Sequence, residues 1–189
     1  MRLRLLATGV IMSAACLGAP TAGADPTPPP NPLLALVDAA AARLQTAEPV
    51  AASKWVTAGD QIEDTKRSVA VLDAVGADAA GRGLDQAYIR RVFTDQINAT
   101  EAIEYTRFSQ WKMDPGSAPK RAPGLDDSRA AIDGYDKTMV AEIAAKQAVL
   151  HDPNCAATLA DARGQVIGSR GLDPMYQAAL NLATRLYCG

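Results

Sequence analysis

A helix with polar residues on its apolar face is the first feature of this sequence that suggests chemistry. Steps of three or four residues place seven side chains on about one face: Ile89, Phe93, Ile97, Thr100, Glu104, Phe108 and Trp111. Five of the seven are apolar, but Thr100 and Glu104 are not. A buried carboxylate is unfavourable unless it is paired, hydrogen-bonded or protonated. Glu104 is therefore either an edge residue paired with Arg107 or an inward carboxyl group with a function.

Cationic side chains on the other predicted helices could meet these two polar groups inside the protein. Arg43 and Lys54 share a face to within ~20° if one helix continues through Pro49. In the next helix, Arg67 follows Asp64 by three residues, which again favours one face. Single charges of this kind are typical of a solvated surface, but together they could form a pocket for a small dicarboxylate. The candidate pocket residues are Arg43, Lys54, Asp64, Arg67, Thr100, Glu104 and Arg129.

The composition restricts both the fold and the partners. The chain has 189 residues, of which 48% are hydrophobic, and this is enough for one domain with a substantial core. Alanine-rich runs favour helices, and no segment has the alternation of a strand. The 19 basic and 21 acidic residues form no polybasic region, so we expect no nucleic-acid partner.

Residues 1–24 have the form of a secretory signal sequence. Arg2 and Arg4 precede a short apolar run, and Ala22-Gly23-Ala24 is typical of a cleavage site. We therefore expect an exported chain, periplasmic or extracellular, with no membrane attachment after cleavage. Residues 25–32, DPTPPPNP, predict a proline-rich leader that is disordered or extended.

Residues 33–189 predict an all-α, single-domain helical bundle of about six helices. The first predicted helix runs from about Pro32 to Trp55, with a kink or break at Pro49. The others run from Asp64 to Gly81 or Gly83, from Asp85 to Met113, from Asp126 to His151, from Cys155 to Ser169 and from Pro174 to Tyr187.

Cysteine and histidine usage limits the chemistry further. Signal cleavage would leave Cys155 and Cys188, and an even count in an exported chain suggests a disulfide rather than two buried thiols. This bond would tie the C-terminal helical pair together. The sequence has one histidine, His151, and lacks the nucleophile, zinc, di-iron and phosphate-loop motifs, so we expect no metal site.

Several segments resemble the exported, all-helical chorismate mutases of the gamma subclass, mycobacterial type. They are LVDAAAARL, EPVAASKW, IEDTKR, RVFTDQINATEAIEYTRFSQWK and SRAAID, with the Cys155 and Cys188 pair. The resemblance covers about Leu34 to Cys188. It implies rearrangement of chorismate to prephenate in a homodimer, without a cofactor or a covalent intermediate. Two alternatives stay open: an isochorismate pyruvate lyase on the same fold, and an inactive secreted helical binding protein.

The resemblance also implies roles for the candidate pocket residues. Lys54 would donate to the ether oxygen on which negative charge develops, and Glu104 would face the same oxygen in its protonated form, which requires a raised pKa. Substrate-binding roles would fall on Arg43, Asp64, Arg67, Thr100 and Arg129.

Two departures from the family pattern concern the segment after Lys54. The loop between Lys54 and Arg67 is longer than in the relatives, so Lys66 is a rival to Arg67 as the pocket cation. Relatives also tend to have a polar side chain about one turn after that arginine, where this chain has Val71. A Val71 in the pocket would mean that one substrate contact is missing or comes from elsewhere.

Overall fold

The structure, a computed structural model, describes residues 29–57, 61–122 and 124–189. The predicted signal sequence and residues 25–28 of the leader lie outside this part of the chain. The described residues form helices and connecting turns with no strand, so the all-α prediction is confirmed. The helices are α1 (Leu34–Gln45), α2 (Ala47–Val56), α3 (Thr65–Gly81), α4 (Gln86–Met113), α5 (Leu125–Ala145), α6 (Gln147–Leu150), α7 (Cys155–Arg170) and α8 (Pro174–Ala183).

Helix α1 occupies the centre of the bundle because most of its side chains are small or apolar. Leu36, Val37, Leu44 and residues 39–42 are all buried, and α1 contacts α4, α5, α7 and α8. A helix that is apolar on most sides belongs in the interior. Arg43 is the one charged side chain of α1 that is buried, with 3% of its surface exposed.

The first predicted helix is interrupted three residues earlier than expected. It ends at Gln45, and α2 begins at Ala47, so that Pro49 lies in the first turn of α2. Proline is tolerated there because the first-turn N–H groups have no partner within the helix. Its ring would clash with the carbonyl of the fourth preceding residue, Gln45, if one helix continued. The Thr46 hydroxyl donates to the Arg43 carbonyl oxygen at 2.6 Å and so satisfies the end of α1.

Two aspartates begin the helices that contribute most to the candidate pocket, as predicted. The Asp64 carboxylate accepts from the Arg67 backbone N–H at the start of α3, and Asp85 accepts from the Ala87 N–H at the start of α4. Each cap satisfies a backbone donor that the helix itself cannot pair. The capped ends set where α3 and α4 start, and hence the height of their side chains along the bundle.

Two predicted helix ends differ from the structure. The helix expected to reach His151 ends at Ala145, and α6 follows after Lys146 leaves the helical conformation. Helix α8 ends at Ala183 rather than at Tyr187. Before α1, the Asn31 side-chain amide donates to the carbonyl oxygen of Thr158 and to the carboxylate of Asp161, both on α7.

A disulfide joins Cys155 to Cys188 and confirms the predicted pairing. It connects the first residue of α7 to the segment that follows α8. In that segment Tyr187 is fully buried, and its carbonyl oxygen accepts a hydrogen bond from the Tyr88 hydroxyl of α4.

None of the described helices combines the length and apolar character needed to cross a bilayer.

Reduction of this disulfide should lower the stability of the folded protein. The bond closes a loop with a sequence separation of 33, for which chain entropy predicts a loss of about 3 to 4 kcal/mol. Thermal unfolding followed by circular dichroism, with and without reductant, would measure the loss. An unchanged midpoint in protein whose two thiols are shown to be free would contradict the expectation.

Candidate active site

A cavity of about 90 Å³ lies between α2, α3, α4 and α5, with Arg43 reaching it from α1. It continues into a wider outer recess that shares Lys54, Asp64 and Arg129 with it. All seven residues predicted from the sequence line the inner cavity: Arg43, Lys54, Asp64, Arg67, Thr100, Glu104 and Arg129. The structure therefore brings the whole predicted set together, although the roles of these residues stay predictions.

Lys54 and Glu104 form the central pair of the cavity. The Lys54 Nζ donates to Glu104 Oε2 at 2.8 Å and to the carbonyl oxygen of Ile62 at 2.5 Å. Glu104 has only 2% of its surface exposed, so it does not lie at the edge of the stripe. The alternative partner considered for it, Arg107, instead pairs with Glu48.

Burial raises the pKa of Glu104 to about 7, although the neighbouring Lys54 acts in the opposite direction and Glu101 adds a smaller increase. Burial dominates because a carboxylate loses its hydration in this apolar setting. Glu104 can therefore exchange its proton near neutral pH. A neutral carboxyl group donates a hydrogen bond, which a carboxylate cannot do.

Arg43 reaches the cavity from the core and is held by two neighbours. Its Nε donates to Asp136 Oδ1 at 2.6 Å, and its Nη1 donates to the Thr100 hydroxyl oxygen at 3.2 Å. That hydroxyl in turn donates to the backbone carbonyl of Gln96 at 2.9 Å. The sequence argument that Arg43 and Lys54 share a face was conditional on one helix continuing through Pro49, and the structure interrupts that helix at Thr46. The two side chains converge because the chain turns between α1 and α2.

The mouth of the cavity carries two further arginines. Arg67 Nη2 contacts Asp133 Oδ1 at 2.5 Å, and Arg129 Nη2 is 3.5 Å from Asp64 Oδ2. Both arginine side chains are partly exposed, and pairs of this kind stabilise a fold only weakly. Lys66 is exposed and does not line the cavity, so Arg67 is the cation that α3 places there.

Three aromatic rings fix the end of α2 against α4. Trp55 packs edge-on against Phe108 and Trp111, with ring centroids 5.2 and 5.5 Å away. Such pairs contribute about 0.5 to 1.5 kcal/mol each beyond their buried area. Trp55 follows Lys54 in the chain, and Phe108 lies one turn after Glu104. The cluster thus fixes the distance between the two groups that form the central pair.

The sequence analysis missed three acidic residues at this site. Glu101 lines the cavity one turn before Glu104, and burial, followed by the charge of Glu63, raises its pKa. Asp133 and Asp136 of α5 lie behind the cavity arginines. Their spacing of four and seven residues from Arg129 was the available signal, because it places all three on one face of a helix.

Val71 is 5% exposed and lines the cavity, so the apolar substitution noted in the sequence does face the site. It can make no hydrogen bond with its side chain.

In the part of the chain that the structure describes, no group of three or more His, Cys, Asp or Glu side chains could hold a metal ion.

The cationic side chains of the cavity favour an anionic ligand. Four cations line it, against the three carboxyl groups of Asp64, Glu101 and Glu104. With Glu104 protonated, the lining has four cations and two charged carboxylates, and Asp136 and Asp133 pair with Arg43 and Arg67 from outside the lining. Guanidinium groups suit carboxylates because their planar N–H pairs match the two carboxylate oxygens.

Comparison with known proteins identifies the family of a chain with this geometry. A secreted chorismate mutase of Mycolicibacterium smegmatis is 47% identical over 184 residues, which cover 97% of this chain and 99% of the relative. The chain belongs to the chorismate mutase family. A secreted chorismate mutase of Mycobacterium tuberculosis is 48% identical over 181 residues, or 95% of this chain and 89% of that protein. The family described as chorismate mutase type II matches residues 34–105, a range that includes six of the seven predicted cavity residues and ends before Arg129.

Solved chorismate mutases have the same fold. The crystal structure of the chorismate mutase from Burkholderia phymatum superposes with a TM-score of 0.79 at 28% sequence identity, covering 84% of this chain and 97% of the other. The enzyme from Burkholderia thailandensis gives 0.78 at 31% identity, covering 84% of this chain and 99% of that one. The helical arrangement that surrounds the cavity is therefore a property of the family.

The raised pKa of Glu104 predicts a pH-dependent difference between the protein and its Glu104→Gln variant. Because the folded state binds this proton more tightly than the unfolded chain, the contribution to stability is full below pH 4.5 and is lost as the pH rises through about 7. Glutamine has no proton to lose. The unfolding free energy of the variant minus that of the parent should therefore rise over this range, by an amount on the order of a few kcal/mol.

Urea unfolding at several pH values from 4 to 8 would measure this difference for both proteins. Parallel stability curves over the whole range would show that Glu104 does not carry a raised pKa.

Proposed function

We propose that the chain catalyses the intramolecular rearrangement of chorismate to prephenate. The observation that carries the proposal is the convergence of four cations and the Lys54–Glu104 pair in one cavity, in a chain of the chorismate mutase family. The reaction breaks an ether C–O bond and forms a C–C bond within one molecule. It needs no nucleophile, no base and no cofactor. The protein therefore acts by orienting the substrate and by stabilising the charge that develops in the transition state.

The arginines of the cavity would bind the two carboxylates of chorismate. Arg43, Arg67 and Arg129 approach from three helices and would hold the two carboxylates in fixed positions. Thr100 would add a hydroxyl contact to a carboxylate, and Asp64 would accept from the ring hydroxyl or orient Arg129. Clamping both ends of the substrate favours the compact conformer in which the reacting carbons meet.

The central pair would act on the ether oxygen as the C–O bond breaks. Negative charge grows on that oxygen in the transition state, and the Lys54 ammonium can donate to it. A charged Glu104 would repel the same oxygen, whereas a protonated Glu104 would donate a second hydrogen bond. A pKa of about 7 makes the protonated form available near neutral pH, and the approach of a dianion favours it further.

Val71 changes one contact within this scheme. Its side chain can only pack against an apolar part of the substrate. The donor that relatives tend to place at this position would have to come from another group, and Ser68, which also lines the cavity from α3, is the nearest candidate by sequence. The site therefore depends more on its arginines for substrate orientation.

We further propose export and self-association. Residues 1–24 have the pattern of a cleavable signal, and the two mycobacterial relatives are named as secreted proteins. The homodimer follows from the resemblance alone, and sedimentation equilibrium of the purified protein would test it.

The function is tested by incubating purified protein, residues 25–189, with chorismate and identifying the products by chromatography. Prephenate formed at an enzymatic rate is expected. Pyruvate with a benzoate product, from chorismate or isochorismate, would select the lyase reaction instead. A folded protein that turns over neither substrate would favour the inactive binding protein.

Replacement of Lys54 by alanine should lower kcat by about 100- to 1000-fold, because a donor used mainly in the transition state is lost. The matched control is Lys66→Ala, which removes the same charge from an exposed position outside the cavity and should leave kcat near that of the parent. Steady-state kinetics with circular dichroism of both variants would measure this. A folded Lys54→Ala protein with a near-parental kcat would remove Lys54 from its proposed role.

A further inference from the structure

Asp136 stands out among the polar residues that the proposed mechanism does not use. It is 5% exposed and lies on α5, where its Oδ1 accepts from the Nε of Arg43 at 2.6 Å. Arg43 lines the inner cavity, but Asp136 does not. Asp136 instead borders a groove between α3 and α5, which shares Arg67 and Val71 with the cavity. It therefore contacts a cavity cation without facing the cavity itself.

The three nitrogens of the Arg43 guanidinium have distinct surroundings. Nε is bound by Asp136 and Nη1 by Thr100. Nη2 has no hydrogen-bond partner among the described residues, and Arg43 lines the cavity. Because the guanidinium is planar, fixing Nε and Nη1 also fixes the direction in which Nη2 points.

We propose that Asp136 is a positioning residue, which holds the Arg43 guanidinium so that its Nη edge faces a substrate carboxylate. The inference rests on the proposed function and adds a residue to that site. A flexible arginine would lose conformational entropy whenever it bound a ligand, and the Asp136 contact removes that cost in advance. Asp136 also compensates the charge of a guanidinium that α1 carries into the core.

The other carboxylate on the same face of α5 is a weaker candidate for this role. The side chain of Asp133 is 52% exposed, and its partner Arg67 is 30% exposed, against 8% and 4% for Asp136 and Arg43. Water competes for the groups of the exposed Arg67–Asp133 pair, whereas water does not reach the buried Arg43–Asp136 pair. Asp136 is therefore expected to orient its arginine more strongly than Asp133 does.

The test is the Asp136→Asn variant, which keeps the shape of the side chain but removes its charge. The expected result is a KM for chorismate about 10- to 100-fold higher, the usual worth of a hydrogen bond to a charged group, with a much smaller change in kcat. A purely structural role would lower the active fraction, and hence the apparent kcat, and would leave KM unchanged.

The matched control is Asp95→Asn. Asp95 is 3% exposed and pairs with Arg185 through two hydrogen bonds of 2.7 and 2.8 Å, but it does not line the cavity. This variant should lose stability while keeping KM within twofold of the parent. An unchanged KM in folded Asp136→Asn, or an equal KM increase in Asp95→Asn, would overturn the inference.

Two further variants cover the remaining outcomes. In an Arg43→Met background, Asp136→Asn should add no further increase in KM, because the group that it positions is gone, and full additivity would contradict the proposal. If Asp136→Asn does not fold, Asp136→Glu keeps the charge but displaces Arg43, and it should also raise KM. Parental protein without turnover would overturn the proposed function and the positioning role with it, whereas parental turnover with unaffected variants overturns the positioning role alone.

Discussion

The cost of placing positive charge inside an apolar helical bundle determines how this site is built. Arg43 lies on α1, whose neighbouring residues are alanines and leucines that belong in the core. A guanidinium in such surroundings is tolerated only with a carboxylate and further hydrogen-bond acceptors close by. Asp136 and Thr100 supply these groups and, in doing so, link α1 to α5 and α4. The interaction that permits the buried charge thus also orders the three helices around the cavity.

Much of the fold follows from local signals in the sequence. Alanine-rich helical runs, the caps at Asp64 and Asp85 and the breaking effect of Pro49 predict the order of the main helices, although about six helices were expected and the described residues form eight. Their ends are less predictable, because tertiary contacts decide them. The interruption at Lys146 and the early end of α8 at Ala183 have no equivalent of a proline or a glycine at the point of termination. The position of the first break at Thr46 follows from Pro49 only when the clash with the fourth preceding carbonyl is considered.

The site is predictable to the extent that its residues break an amphipathic pattern. Glu104 and Thr100 are visible in the sequence because they interrupt an apolar face. The cations could be grouped into one pocket from the sequence, but their roles came only through resemblance to a family, since each alone is typical of a surface. Asp136 was missed because its spacing of seven residues from Arg129, which places both on one helix face, is also typical of a solvated charged face. Its significance depends on a partner 93 positions away in the sequence.

The disulfide makes the stability of the protein against unfolding depend on whether the bond has already formed. Helix α4, which carries Thr100 and Glu104, packs along α8, and the bond at Cys188 closes directly after that helix. While both thiols are reduced, the C-terminal segment is held by packing alone, including the burial of Tyr187. An exported chain would therefore be easiest to unfold inside the cell, where it must pass through a translocation channel. It would become hardest to unfold after reaching the oxidising compartment in which it works.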